Sequence, residues 1–125
     1  MKRLIPAVLV FALTILFQSS LAQDTESCAK VANQLVELIN AADYSGIQTN
    51  FNKVMDAALP LDKSSEFFKD LTQQAGKIQK LGEPQPVGGA VVFRAECEKD
   101  TLDMEITLDD RGLIAGLVFK PHVVR

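Results

Sequence analysis

The sequence predicts an α+β domain, with three N-terminal helices packed on one face of a four-stranded antiparallel meander. Three observations carry that reading. Ala90–Phe119 alternates apolar and polar residues through three segments separated by turn residues, the period-2 signature of half-buried strands. Residues 28–75 instead place apolar side chains three and four apart, the spacing of amphipathic helices. Finally, all the helical segments precede all the strands, an order that favours helices segregated on one face of an antiparallel sheet.

The chain opens with a leader. Lys2 and Arg3 form a positive start, Leu4–Phe17 is an uninterrupted largely apolar run, and Ser20-Leu21-Ala22 puts small residues at the −3 and −1 positions. The run falls short of the about 20 apolar residues that cross a bilayer. A cleaved signal peptide over residues 1–22 is therefore expected, with secretion or export to a periplasm and no membrane contact after cleavage. The residue three before Cys28 is Thr25 and not a large aliphatic, which speaks against a lipoprotein. What remains is one α+β domain over residues 23–121 and a C-terminal tail over residues 122–125. Loss of Lys2 and Arg3 takes the formal charge from −3 to −5. An acidic surface without a basic run is the wrong electrostatics for nucleic acid or an anionic membrane.

Ser27 is placed to cap a first helix over Cys28–Ala42, with Val31, Leu35, Leu38 and Ala42 as its inward stripe and Ile39 beside them. Asp43-Tyr44-Ser45-Gly46 interrupts the pattern. A second helix is expected over Ser45–Met55, anchored by Ile47, Phe51, Val54 and Met55. Pro60 ends that stretch, because the residue before a proline is pushed out of helical dihedrals. Asp62 or Ser64 can cap a third helix running to Ala75, with Phe67, Phe68 and Leu71 inward and Gly76 as the left-handed terminator.

Lys77–Leu81 reads as the first strand, confined to a sheet edge by Pro84 and Pro86. Gly88-Gly89 turns into the second strand, where Val91, Phe93, Ala95 and Cys97 share one face. Leu102, Met104, Ile106 and Leu108 share that face on the third strand. A turn at Lys99-Asp100 would set Cys97 opposite Leu102, Phe93 opposite Ile106, Arg94 opposite Glu105 and Glu96 opposite Asp103. Asp109-Asp110-Arg111-Gly112 forms the next turn, for which aspartate and glycine have a sufficient backbone reason. On the last strand Leu113, Ala115, Leu117 and Phe119 are assigned to the core, while Ile114 and Val118 face the other side near Val92. A strand that is apolar on both faces suggests a covered outer face, with simple exposure of a few aliphatic side chains as the other reading. A homodimer contact, a cell-envelope protein or a small apolar ligand would supply that cover.

Cys28 and Cys97 both fall on core-facing positions in a chain read as exported, so a disulfide between them is expected. Closing a loop of about 70 residues would stabilise the fold by about 4 kcal/mol. Two small core side chains that never meet is the other reading. A catalytic thiol is not expected, because no histidine lies near either cysteine in sequence.

The helical half carries Ile39-Asn40-Ala41-Ala42-Asp43-Tyr44, Phe51, Met55 and Ala58-Leu59-Pro60. The sheet half carries Phe67-Phe68, Gly76-Lys77-Ile78, Asp100-Thr101-Leu102-Asp103 and the run Leu108–Pro121. From about Val31 to Pro121 these residues resemble a bacterial family called domain of unknown function 3887. The resemblance implies a cystatin-like or nuclear transport factor 2-like α+β cone. Relatives of that kind often precede a serine β-lactamase-like or α/β-hydrolase domain, and no such domain is expected here. Asp100 stands where the family's turn usually has glycine. The resemblance supplies no catalytic motif.

Candidate chemistry is sparse. Glu96 opposite Asp103, with Glu98 nearby, would be a carboxylate pair able to hold a hard cation, against the simpler reading of a solvated acidic face. The Asp109–Gly112 loop lacks the length and downstream glutamate of a calcium loop. No G-x-S-x-G, S-x-x-K or zinc-ligand spacing is present. His122 is placed beyond the last strand as a surface residue, and Tyr44 as a packing residue between helices. With no catalytic residue, cofactor or metal assigned, the expectation is an exported, non-enzymatic binding or accessory domain. Its surface would involve Val92, Arg94, Glu96, Asp103, Glu105, Ile114 and Val118. A small cone-fold enzyme of isomerase or hydrolase type, using Tyr44, His122 or an acidic residue, is the alternative. An interaction module for a cell-envelope serine hydrolase is a further one.

Overall fold

The structure is a computed structural model that describes residues 24–122. The expected leader over 1–22, its cleavage site and tail residues 123–125 lie outside the described residues. Among the described residues the fold is α+β, with four helices followed by five strands in one antiparallel sheet.

Helix α1 spans Thr25–Asn40 and begins three residues earlier than the sequence implied. Asp24, not Ser27, caps it. One carboxylate oxygen accepts the Glu26 N–H, and the other accepts the Ser27 hydroxyl at 2.7 Å. The buried stripe is Cys28, Ala32, Leu35 and Ile39, rotated by about one residue from the expected one. Val31 and Leu38 are half-buried at its margins, and Ala42 is exposed beyond the helix end. Ala42 has φ 57°, its N–H donates to Ile39 C=O, and the Asp43 N–H donates to Leu38 C=O. This is a Schellman ending with alanine where glycine is favoured. Because Ala42 is exposed, Ala42→Gly is expected to stabilise the fold by about 0.5–1 kcal/mol, read as a raised urea midpoint at unchanged slope.

The expected second helix is two short ones. Helix α2 spans Tyr44–Gln48 and α3 spans Lys53–Ala58. Between them the backbone extends, and Asn50 and Asn52 bond the sheet. The Ile114 N–H donates to Asn50 C=O at 2.7 Å, and the Asn52 N–H donates to Ile114 C=O at 2.9 Å. The Asn52 side chain then caps α3 by accepting the Met55 N–H. Asparagine offers the backbone alternatives to the helical ladder, and two close together broke the helix. Ile47, Phe51 and Met55 are buried as expected, whereas Val54 is 73% exposed and anchors nothing in the core.

Helix α4 spans Leu61–Ala75, with Pro60 at its N-cap. Asp62 and Ser64 therefore lie inside the first turn and not at the cap. Ser64 is fully buried and donates to Gln48 Oε1 at 2.7 Å, while Gln48 Nε2 donates to Asp56 and to Leu59 C=O. One glutamine thus ties α2, α3 and α4 together. Phe68 is fully buried and Phe67 is not.

The sheet comprises β1 (Ile78–Leu81), β2 (Gln85–Val87), β3 (Ala90–Cys97), β4 (Thr101–Leu108) and β5 (Ile114–Pro121). Both β1 and β2 pair with β3, so they are two pieces of one edge position, split at Gly82–Pro84. In strand positions the sheet is thus the four-membered meander expected, ordered β1/β2, β3, β4, β5. Strand faces hold as read: Val91, Phe93, Ala95, Leu102, Met104, Ile106 and Leu108 are buried beneath the helices.

Register and one face differ from expectation. The β3–β4 turn centres on Glu98-Lys99, one residue earlier than read, which shifts cross-strand partners by two and keeps every face. The cause lies outside the hairpin. The Glu98 N–H donates to Lys77 C=O, the Lys99 N–H to Ala75 C=O and the Lys99 ammonium to Gln73 C=O, so the turn is held on the end of α4. On β5, Thr107 faces Gly116 but Leu108 faces Ile114, so Ala115 is an extra residue in a β-bulge. The bulge reverses the alternation, and Ile114 is fully buried in the core instead of facing outward.

Candidate functional site

The helix-covered face of the sheet is filled. Phe93, Met104, Ile106 and Ile114 are at most 1% exposed, and among the described residues Ser64 is the one buried polar side chain. The charged side chains of the strands stand on the opposite face. There, β3 presents Val92, Arg94 and Glu96, β4 presents Thr101, Asp103, Glu105 and Thr107, and β5 presents Val118 and Lys120.

The observed register sorts these into rows. Val92 lies between Gln85 and Glu105, with Val118 next in line. Arg94 lies opposite Asp103, which lies opposite Lys120, and Glu96 lies between Lys80 and Thr101. The expected pairs Arg94–Glu105 and Glu96–Asp103 are not formed. With Glu96 and Asp103 separated, the like-charged couple that motivated a cation site disappears. Among the described residues no three histidine, cysteine or acidic side chains come together as a metal group.

Two acidic residues of this face, Glu105 and Asp103, are instead paired. Lys120 bridges to Glu105 across the β4–β5 ladder, an exposed pair worth less than about 1 kcal/mol and screened by salt. His122 Nδ1 lies 2.8 Å from Asp103 Oδ1, with the imidazole 19% and the carboxylate 30% exposed. His122 was read as part of a tail. Its N–H donates to Thr101 C=O, extending the β5 pairing by one residue beyond Pro121. The outward series Val118, Lys120, His122 was visible in the sequence as continued alternation, and Pro121 hid it.

Asp109 gives the turn after β4 its shape. One carboxylate oxygen accepts the Arg111 and Leu113 N–H groups, both at 2.9 Å, and the other accepts from Asn52 Nδ2 at 3.2 Å. Burial raises its pKa, but the Leu113 and Arg111 amides, Asn52 and the Arg111 charge together outweigh burial and hold it below its ordinary value of 3.8. A depressed folded pKa adds stability that is complete above the unfolded value and lost as the pH falls through the folded one. Asp109→Asn is accordingly expected to cost about 1 kcal/mol at neutral pH, discounted for partial exposure, with the difference shrinking below pH 3.8. Urea melts of both proteins at several pH values measure it.

The cysteines are not joined. No disulfide is present among the described residues, so the Cys28–Cys97 bridge read from the sequence is not seen. Its geometric reason is α1. Cys28 lies twelve residues from Asn40, about 18 Å of helix, and Asn40 is the residue bonded to Ile78, the register partner of Cys97. Burial first, then the Asp24 charge, pushes the Cys28 thiol up; burial and Asp100 do the same for Cys97. Raised thiols stay protonated and are poor nucleophiles. Tyr44 starts α2 half-buried against the core, as a packing residue should.

Taken together, these features define a small α+β domain with one face of a meander sealed by helices and the other a mixed-charge surface. Residues 32–117 match the family described as Protein of unknown function (DUF3887), and the chain belongs to that family.

Proposed function

We propose that the chain is an exported, non-enzymatic accessory domain that binds a cell-envelope protein through the outer face of its sheet. The observation that carries this reading is the contrast between the two faces. One is consumed by the core, whereas Val92, Arg94, Glu96, Asp103, Glu105 and Val118 stand half-buried or exposed on the other. A surface of charge pairs flanked by valines suits a protein contact, because it sets polar groups to be matched beside apolar ones to be buried. The bulge at Ala115 and the break at Gly82 are devices that bend sheets, and they support the cystatin-like or nuclear transport factor 2-like cone as the detailed architecture.

Photo-crosslinking residues placed at Arg94 or Glu96, compared with one at exposed Gln74 on α4, test the surface in cells. Discrete adducts with an envelope protein from β3 and none from Gln74 are expected; equal labelling from all three positions defeats the reading. An intact mass beginning at Gln23 tests the export step, and a full-length mass would reverse it. The partner suggested by the company of relatives is a serine hydrolase of the envelope.

One observation favours a second reading. His122 oriented by Asp103 is the arrangement of a general base and its orienting carboxylate. In an isomerase- or hydrolase-type enzyme His122→Asn would abolish turnover while leaving the fold intact, and an activity assay on the two proteins decides between the readings.

A further inference from the structure

The first residue after the expected cut is a glutamine. Between Phe17 and Asp24, Ser20 and Ala22 are the small residues that stand two apart, so cleavage there makes Gln23 the new N-terminus. Helix α1 begins almost at once. Its N-cap, Asp24, is exposed, and three oxygens of that residue hold the first turn. One carboxylate oxygen accepts the Glu26 N–H at 3.1 Å, the other accepts the Ser27 hydroxyl at 2.7 Å, and the C=O accepts the Cys28 N–H at 3.0 Å. Cys28 is fully buried, so this turn is where α1 enters the core. A single residue therefore separates the cut from the cap. A free α-ammonium there would oppose the partial positive charge of the helix start and draw the Asp24 carboxylate away from its two donors. Trimming by two residues would take the cap itself.

We infer that Gln23 closes on itself to pyroglutamate once the leader is removed, so that the mature chain starts with a neutral lactam. The inference rests on the export reading and is independent of what the sheet binds. Its chemistry is complete within one residue. The unprotonated α-amine, present in part at neutral pH, attacks the side-chain carbonyl carbon Cδ. The new N–Cδ bond closes the ring, the Cδ–Nε2 bond breaks, and the amide nitrogen leaves as ammonia with the proton that the amine gives up. No oxidant, reductant or second substrate is consumed. Residue type and position both matter. Glutamine closes an unstrained ring, whereas asparagine would have to close a smaller, strained one. A cut one residue later would expose Asp24, whose carboxylate has no amide nitrogen to expel. The lactam acts twice at the start of α1. It removes the charge beside the cap, and it removes the free amine that aminopeptidases require, so the chain is closed to trimming one residue before the cap.

Intact mass of the exported protein under reductant, before and after a broad-specificity aminopeptidase, is the test, with Gln23→Ala alongside. A mass beginning at Gln23 and lighter by one ammonia is expected, unchanged by the peptidase. Gln23→Ala cannot cyclise. It is expected to be shortened past Asp24 and then to melt about 4–8 °C lower, because the cap is gone. A mass beginning at Gln23 with its ammonia retained overturns the inference and leaves the export reading standing. So does shortening of the native chain, or a Gln23→Ala chain that resists the peptidase equally. A mass that begins at any other residue overturns it too, and a full-length one reverses the export reading with it.

Discussion

Gly76→Ala is expected to lower the stability of the fold by about 3 kcal/mol, or the melting temperature by roughly 10–20 °C for a domain of this size. Two independent costs add. Gly76 ends α4 at φ 83° and ψ −176°, a conformation that only glycine adopts readily and that costs any other residue about 1–3 kcal/mol. A Cβ at this position would also come within 2.7 Å of Glu98 Cβ. Because Glu98 is held by its N–H on Lys77 C=O and by its carboxylate on the Lys77 N–H, it has little room to withdraw. The two costs separate experimentally. Adding Glu98→Gly removes the opposing Cβ, and the double variant should recover stability relative to Gly76→Ala alone. Simple additivity of the two losses would show that backbone strain is the whole effect.

Asn40→Ala is expected to cost about 2–4 kcal/mol, a large loss for one side chain of intermediate burial. The amide Nδ2 donates to Ile78 C=O at 2.8 Å and Oδ1 accepts the Ile78 N–H at 3.0 Å. A single side chain thereby takes the place of a neighbouring strand at the point where β1 begins. Alanine would leave a donor and an acceptor of the buried Ile78 without partners. Hydrogen exchange locates the effect: the Ile78 amide should lose protection out of proportion to amides in β4. Uniform loss across the sheet would mean that Asn40 acts through general stability and not through this clamp.

The two residues also show what the sequence could and could not reveal. Gly76 was legible, since a glycine after an amphipathic run is a local signal. Asn40 was not, because its partner lies 38 residues away and its function is to imitate a backbone. The same division runs through the sheet. Faces were readable because a two-residue slip, such as the earlier turn at Glu98-Lys99, leaves alternation unchanged. Pairings across strands were not readable, because α4 and not the hairpin decides where that turn falls. Ile114 was assigned to the wrong face, since one extra residue at Ala115 inverts everything on its far side. The candidate surface was half legible. Val92, Arg94, Glu96, Asp103, Glu105 and Val118 lie on the outer face and Ile114 does not, and the charge partners of Arg94, Glu96, Asp103 and Glu105 depended on the register. His122 was concealed behind a proline that looked like a terminator.

The split edge at β1 and β2 has a consequence for how far assembly can go. A sheet with two competent edges can add chains at both sides without end, which is the route to fibres. Here the prolines and the break at Gly82 leave a single side able to accept a strand. Any growth through the sheet consumes that side at the first encounter. Pairing through that side would close at two chains, so the half of the sheet that cannot pair guards the protein against stacking into filaments.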